Sequence, residues 1–280
     1  MTNPLASDVL RLPRLHCYIL SLFPEVIHSY TQASIIGRAQ KQGILKVDVI
    51  NPRDFATDAH HRVDDTPYGG GAGMVLMAPP ILSALDSIDL GPNQATPGEK
   101  TSLLMTSPAG RVFNHDWAKT LAQCDRLVLL CGHYEGFDER ILHKRPDIEL
   151  LSLGDFVMTG GELAALAVVD AVARLIPGVV QKFDSVTADS FYTGILDHPH
   201  YTRPAQLDGD AVPDVLLSGH HGAIAQWRRQ QALLKTALHR PDLLEQARHN
   251  NTVTEAEYLW ARQQARLSNT ETEAECQNPR

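Results

Sequence analysis

Residues 152–166 read SLGDFVMTGGELAAL, with glycine turns at Gly154 and at Gly160 and Gly161 on either side of the short run DFVM. A glycine-rich turn running into a helix commonly holds a phosphate, but no lysine or arginine lies between 152 and 173. Backbone N–H and C=O groups at such turns can read the edge of a heterocycle without a charged side chain. That suits a cationic ligand better than a polyphosphate. The plain alternative is a tight strand-to-helix connection. Under the ligand-binding option, a valine at Gly160 or Gly161 is expected to intrude where the backbone meets the ligand.

The segment CGHYEGFDERI (131–141) follows a short apolar run. This sets Gly132 to Gly136 at the C-terminal end of a strand, where α/β proteins bind ligands. Tyr134 and Glu135 have the chemistry to stack on or hydrogen-bond a heterocycle. Alternatively, Asp138, Glu139 and Arg140 make an ordinary salt-bridged turn. In TPYGGGAGM (66–74) the pattern GxG lacks the following xxG, and no GxxxxGK[ST] occurs. The dinucleotide and P-loop fingerprints therefore both fail, and a flexible glycine loop remains open.

Asp189, between Ala188 and Ser190, is one candidate base; a polar loop aspartate is otherwise solvated or caps a turn. HPHYTRP offers His198, Tyr201 and Arg203, a mixture fit for phosphate contact and stacking. The pairs His60-His61 and His220-His221 lack ligand-like spacing, and none of the four cysteines forms a CxxC pair. No metal site or disulfide framework is expected. Reduced thiols in the cytoplasm are the default.

These residues need a scaffold. Apolar runs at 17–23, 45–50, 102–108, 127–132 and 148–157 read as strands. Helical patterns fall between them, at 24–40, at 78–88 with proline near its start, and from a cap at Asn114; another spans 162–175. This βα alternation implies an α/β fold with a parallel sheet covered by helices on both faces. Residues 182–210 have no clear periodicity. Three helices are expected from 222 onward, the last opening at a capping box of Thr252 and Glu255.

Of the 280 residues, 43% are hydrophobic and 21% charged, as in a soluble globular protein. MTNPLASDVLRLPR has no apolar core, so no signal peptide is expected. Asp170, Arg174 and Pro177-Gly178 interrupt the best membrane candidate, 163–180. A net charge of −8 argues against nonspecific nucleic-acid binding. Charge is local, however. Between 198 and 240 stand Arg203, Arg228, Arg229, Lys235 and Arg240 against Asp208, Asp210 and Asp214, so an acidic protein can still carry a basic face.

The quoted blocks, with SLFPE (21–25), GRA (37–39), PRDF (52–55), VDDTPYGGGAGM (63–74), SPAGR (107–111), RLIPGVV (174–180), DSF (189–191), LDHPHYTRP (196–204), LLSG (216–219) and WRRQQAL (227–233), stand in one order. In them the chain resembles the bacterial tRNA (guanine-N1)-methyltransferases of the SPOUT class. The resemblance implies a parallel sheet with a deep trefoil knot over 15–180, a linker at 181–195 and a helical tRNA-binding domain at 196–267. The tails 1–14 and 268–280 fall outside and are expected to be disordered.

The resemblance further implies S-adenosylmethionine held in a bent form. Its contacts would be Ser107 and Pro108, then Gly132, Tyr134, Glu135 and Gly136, then Ser152, Leu153, Gly154, Phe156, Gly160 and Gly161. It implies a homodimer with a shared site, in which Asp189 comes from the partner chain as base and Arg174 supports the acceptor guanine. The target would be the guanosine at tRNA position 37, preceded by guanosine at 36. RNA contact would use His198, Tyr201, Arg203, Arg228 and Lys235. Magnesium dependence is implied without a motif, Glu135 being one candidate ligand. Ala188, His133 and His220 depart from the residues frequent in the family. The alternatives are a SPOUT enzyme acting on a ribose 2′-hydroxyl, against which the C-terminal helical module argues, and a noncatalytic RNA-binding protein of the same fold.

Overall fold

The computed structural model describes residues 13–88 and 99–277. They divide into two compact units, one ending at Gln181 and the other starting at Lys182. The first unit runs β1 (Leu15–Leu20), α1 (Pro24–Thr31), α2 (Ser34–Lys41), β2 (Leu45–Ile50), a 3-10 turn (Pro52–Phe55), the short pair β3 (Asp64–Asp65) and β4 (Val75–Leu76), and α3 (Ala78–Asp86). It continues with β5 (Thr101–Val112), α4 (His115–Leu121), β6 (Arg126–Leu130), α5 (Arg140–Lys144), β7 (Ile148–Ser152) and α6 (Glu162–Ala173).

The main sheet has the order β2-β1-β6-β5-β7, and every neighbouring pair is parallel. Leu103 and Met105 of β5 and Val128 and Leu130 of β6 pack in one cluster with Ile81 and Leu85 of α3. Leu104, Leu127 and Leu129 alternate with them and are also fully buried. A strand apolar at consecutive positions is one covered on both faces, as parallel strands are. Asn114 caps α4 by accepting from the Trp117 N–H at 2.9 Å.

The expected single helix over 24–40 is two. Ala33 is extended and Ser34 has φ 49°, which ends α1 and starts α2 at a new angle. Gly37 permits this turn, because a Cβ there would lie 2.1 Å from the Gln32 carbonyl oxygen. Strand β5 outruns its expected end at 108. Its register against β7 shifts between Thr106 and Arg111, so residues 107–110 leave the ladder as a bulge.

The second unit holds α7 (Phe183–Thr187), a hairpin of β8 (Gln206–Leu207) and β9 (Asp210–Ala211), α8 (Asp214–Leu217), α9 (His221–His239), α10 (Pro241–His249) and α11 (Glu255–Gln277). Its own core gathers Ile195, Leu233, Leu244, Ala247, Val253, Tyr258 and Ala261. Helix α7 lies inside the segment expected to be a bare linker. Helix α11 continues past 267, so the C-terminal tail is helical in backbone to Gln277. Residues 1–12 and 278–280 of the expected tails lie outside the described residues.

The capping box of α11 sits two residues later than its expected place. The Thr254 N–H donates to Glu257 Oε2 at 2.8 Å and the Glu257 N–H to Thr254 Oγ1 at 3.3 Å. Thr252 is already used, its hydroxyl donating to the Ala247 carbonyl at the end of α10. Glu255 pairs with Arg248. Among the described residues no helix is long and apolar enough to cross a membrane.

Candidate functional site

Strands β5, β6 and β7 are parallel neighbours, so their C-terminal ends share one edge of the sheet. The loops that leave them enclose a cleft of about 290 Å3. Ser107, Pro108, Gly132, Tyr134, Glu135, Gly136, Ser152, Leu153, Phe156, Gly160 and Gly161 all line it. Gly154 does not. It forms the turn behind the wall, with φ 148°, its N–H donating to Ser152 Oγ at 3.0 Å and its carbonyl accepting from the Phe156 N–H at 2.9 Å.

Short hydrogen bonds hold the loops to one another. The Gly161 N–H donates to the Gly132 carbonyl at 2.8 Å. Thr106 Oγ1 accepts from the Gly132 N–H at 3.0 Å and donates to the Leu130 carbonyl at 3.1 Å. A Cβ on Gly161 would lie 2.3 Å from Thr106 Oγ1 and 2.8 Å from Cys131 Cα. On Gly160 it would meet His133 Cε1 at 2.3 Å. The expected reason for these glycines is therefore corrected. Their missing side chains make room for neighbouring protein, and a valine would break the packing of loop on loop.

Glu162, at the first turn of α6, is buried, and both its oxygens are engaged. Oε1 accepts from Ser21 Oγ at 2.6 Å, and Oε2 lies 2.7 Å from His133 Nε2. Ser21 Oγ in turn accepts from the Phe23 N–H at 3.0 Å, and the Phe23 ring lies 4.9 Å from that of His133. This chain of contacts ties the end of β1 to both glycine loops. A carboxylate out of water must be so paired. Sequence spacing cannot reveal it, because Ser21 and Glu162 lie 141 residues apart.

The loop TPYGGGAGM backs the same wall. Gly73, with φ 87°, leaves the room that Glu135 fills, since a Cβ there would lie 2.3 Å from Glu135 Oε1. The Glu135 N–H donates to the Met74 carbonyl at 3.0 Å. Tyr134 has φ 58° and is half exposed; a tyrosine in that region is uncommon and marks a constrained turn. Thr106, His133, Leu151, Val157, Met158, Thr159 and Ala164 also line the cleft, beyond the residues expected from the sequence. No lysine or arginine lines it. Apolar walls and one carboxylate, without a cation, suit a flat heterocycle joined to a cationic centre. Among the described residues no three His, Cys, Asp or Glu side chains converge as a metal site.

Burial pushes the Cys17 thiol up to about 12, and burial with the nearby Glu162 carboxylate raises Cys131 well above its usual value. Neither offers a thiolate nucleophile near neutral pH.

Arg174 caps the C-terminal end of α6 in the first unit. Asp189 follows α7 in the second, its N–H donating to the Val186 carbonyl at 3.3 Å and its carbonyl accepting from the Tyr192 N–H. Next to it Phe191 takes φ 72°, rare for a bulky residue. Asp197 pins this segment. Its Oδ1 accepts from Ser190 Oγ at 2.9 Å and from Lys235 Nζ at 3.0 Å, while Oδ2 lies 3.2 Å from His200 Nε2. Burial alone would raise the Asp197 carboxyl, but the bonds from Lys235, Ser190 and His200 outweigh it and hold the group at about 2.

His198, Tyr201, Arg203 and Arg228 are brought together around a second cavity of about 330 Å3 in the second unit. Lys235 is not among its walls; its ammonium is spent on Asp197.

The family described as tRNA (guanine-1)-methyltransferase TrmD matches residues 15–246. A Magnetococcus marinus protein named tRNA (guanine-N(1)-)-methyltransferase is 55% identical over 82% of this chain and 89% of its own length. Proteins of the same name from Ralstonia nicotianae and Desulforamulus reducens are 48% and 49% identical, over 86% and 81% of this chain and 90% and 87% of theirs. With the site geometry and this similarity along both units, the chain belongs to the tRNA (guanine-1)-methyltransferase family.

Proposed function

We propose that this protein transfers a methyl group from S-adenosylmethionine to N1 of the guanosine at tRNA position 37, where guanosine stands at 36. The observation that carries this is the cation-free cleft at the ends of β5, β6 and β7, in a chain about half identical to proteins named tRNA (guanine-N(1)-)-methyltransferase. Ser107, Pro108, the 132–136 loop and the 152–161 loop would hold the donor by backbone and apolar contact. When bound, the donor supplies an electrophilic methyl on a sulfonium that departs as a neutral thioether. No acid is then needed at the leaving group.

Guanine N1 bears a proton near neutral pH and is a poor nucleophile until that proton is lost. Asp189 accepts it as the methyl moves. Negative charge shifts toward guanine O6, where the Arg174 guanidinium stabilises it. Asp197, tied to Lys235, acts through Ser190 as a positioning residue for the backbone that carries Asp189. Holding both reactants in line supplies much of the remaining acceleration.

Family membership supports a trefoil knot in the first unit. The return of the chain after β7 against Thr106, Cys131 and Gly132 is consistent with that threading. Family membership also supports a homodimer in which Asp189 serves the partner's cleft. Among the described residues Cys17, Cys124 and Cys131 are free thiols.

The test is to treat unmodified tRNA bearing guanosine at 36 and 37 with protein and donor, then map the product nucleoside by mass. N1-methylguanosine at 37 is expected. A ribose 2′-O-methyl product, or no product from protein that binds the donor, overturns the proposal.

A further inference from the structure

The cavity of the second unit is walled by rings. The His198 and Tyr201 rings lie 6.5 and 6.3 Å from that of Trp227, over apolar ground that includes Leu216. Tyr201 is 49% exposed, so an aromatic face stands open to solvent where folding gains little from it. Arg203 and Arg228 also line the cavity and are exposed. Neither has an ion-pair partner among the described residues. The other cations of this unit are largely spent within it: Arg229 on Glu257, Lys235 on Asp197, Arg240 on Asp242, and Arg248 on Glu245 and Glu255. Arg262 and Arg266 likewise have no ion pair among the described residues, but only Arg203 and Arg228 of these four stand at the aromatic cavity.

Rings and unpaired guanidinium groups together fit a nucleotide. A base offers its π-face to aromatic side chains whatever its identity, and its phosphates pair with arginine. A base inside a duplex offers only its edge, so the nucleotide must be unpaired. None of the donor-cleft residues lines this cavity, nor does Asp189 or Arg174. The two cavities share no residue. We propose that this cavity captures one further unpaired nucleotide of the tRNA, its base against Tyr201 and Trp227 and its flanking phosphates on Arg203 and Arg228. This rests on tRNA being the substrate. Capture of a second base would fix the register in which the reacting guanosine is presented.

The test uses the full chain and tRNA transcripts, each carrying one abasic substitution at an unpaired position. Tyr201→Leu and Trp227→Leu should each weaken tRNA binding roughly tenfold, a loss of one stacked base, with no change in its salt dependence. Arg203→Ala and Arg228→Ala should each reduce the slope of log affinity against log salt by about 0.7, as loss of a single-strand phosphate contact does. One abasic transcript should bind wild type roughly tenfold less well and should lose nothing further with Tyr201→Leu. Donor affinity, measured on each variant, reports folding; Tyr201→Leu, at an exposed position, stands if Trp227→Leu misfolds. Wild-type binding by Tyr201→Leu, full abasic penalties persisting in it, or a changed oligomeric state would overturn the proposal, the last by making the cavity a contact between copies. Mapping the wild-type product tests the methylation chemistry separately.

Discussion

The two cavities of this molecule are built on opposite plans. The cleft of the first unit leans on backbone: glycines at 132, 136, 160 and 161 and strand ends stand beside Tyr134, Phe156 and Val157, with no lysine or arginine. The cavity of the second unit is made of side chains: rings, with two arginines beside them. A backbone wall is set by hydrogen bonds between loops and has little freedom to adapt, which suits a small ligand of fixed shape. A side-chain wall can shift rotamers and presents charge, which suits a long polyanion. Damage to the first should therefore be all-or-none, and damage to the second graded and salt-dependent.

The sharpest test of this division removes the chemistry and leaves both cavities intact. Asp189→Asn keeps size and hydrogen bonding but cannot take the N1 proton. Methyl transfer should fall on the order of a hundredfold to ten-thousandfold, with donor and tRNA affinities unchanged. Co-expression with Arg174→Ala should restore partial activity, because one of the two sites in a mixed dimer then retains both groups. Verified heterodimers without rescue would place both residues in the same site from one chain.

A second test attacks the backbone wall. Gly161→Val should abolish measurable donor binding and lower the melting temperature, since overpacking of this kind costs about 1–3 kcal/mol. A variant that melts like wild type yet fails to bind donor would mean the added side chain points at the ligand rather than at Thr106 and Cys131.

A smaller effect is expected where side chains hold the site. Asp197→Asn should lower kcat about tenfold, the result of slight misplacement of Asp189, with KM for donor unchanged. Lys235→Ala should act on kcat in the same direction and leave the salt slope of tRNA binding alone. If it instead reduces that slope, Lys235 touches phosphate and its pairing with Asp197 yields to RNA.

The mildest test uses acid. Asp197 and Glu257 are both held at about 2, Glu257 chiefly by Arg229 and Thr254 against the opposing effect of burial. Their folded values lie below the unfolded ones, so their stabilisation is present above about pH 4 and is lost as pH falls toward 2. Urea midpoints of the second unit should drop across that window, and a double Asp197→Asn, Glu257→Gln variant should show a flatter profile. An unchanged profile would mean that these pairs contribute no net stability.

Much of the first unit was legible before folding. Apolar runs of strand length alternating with helical patterns specify a parallel sheet, because only strands covered on both faces are apolar at every position. Glycine clusters just after such runs mark the ligand-binding edge, and Asn114 three residues before Trp117 marks a helix start. Of the contacts that the resemblance implied, all but Gly154 line the cleft, while Thr106, His133, Leu151, Val157, Met158, Thr159 and Ala164 line it unexpected. These features are local, and local geometry follows from residue type and spacing.

What only the tertiary structure decided depends on partners far apart in the chain, or on competition for one group. Spacing could not join Ser21 to Glu162, or show that the absent side chains of Gly160 and Gly161 leave space for His133 and Thr106. It offered Lys235 to RNA, because a lysine in a basic window looks available; the fold pairs it with Asp197, 38 residues away. It set the capping box at Thr252, a valid pattern, but the Ala247 carbonyl claimed that hydroxyl and the box formed at Thr254 instead. In each case several local pairings were chemically sound, and packing of the whole chain selected among them, because a donor or charge engaged in one place is lost to another.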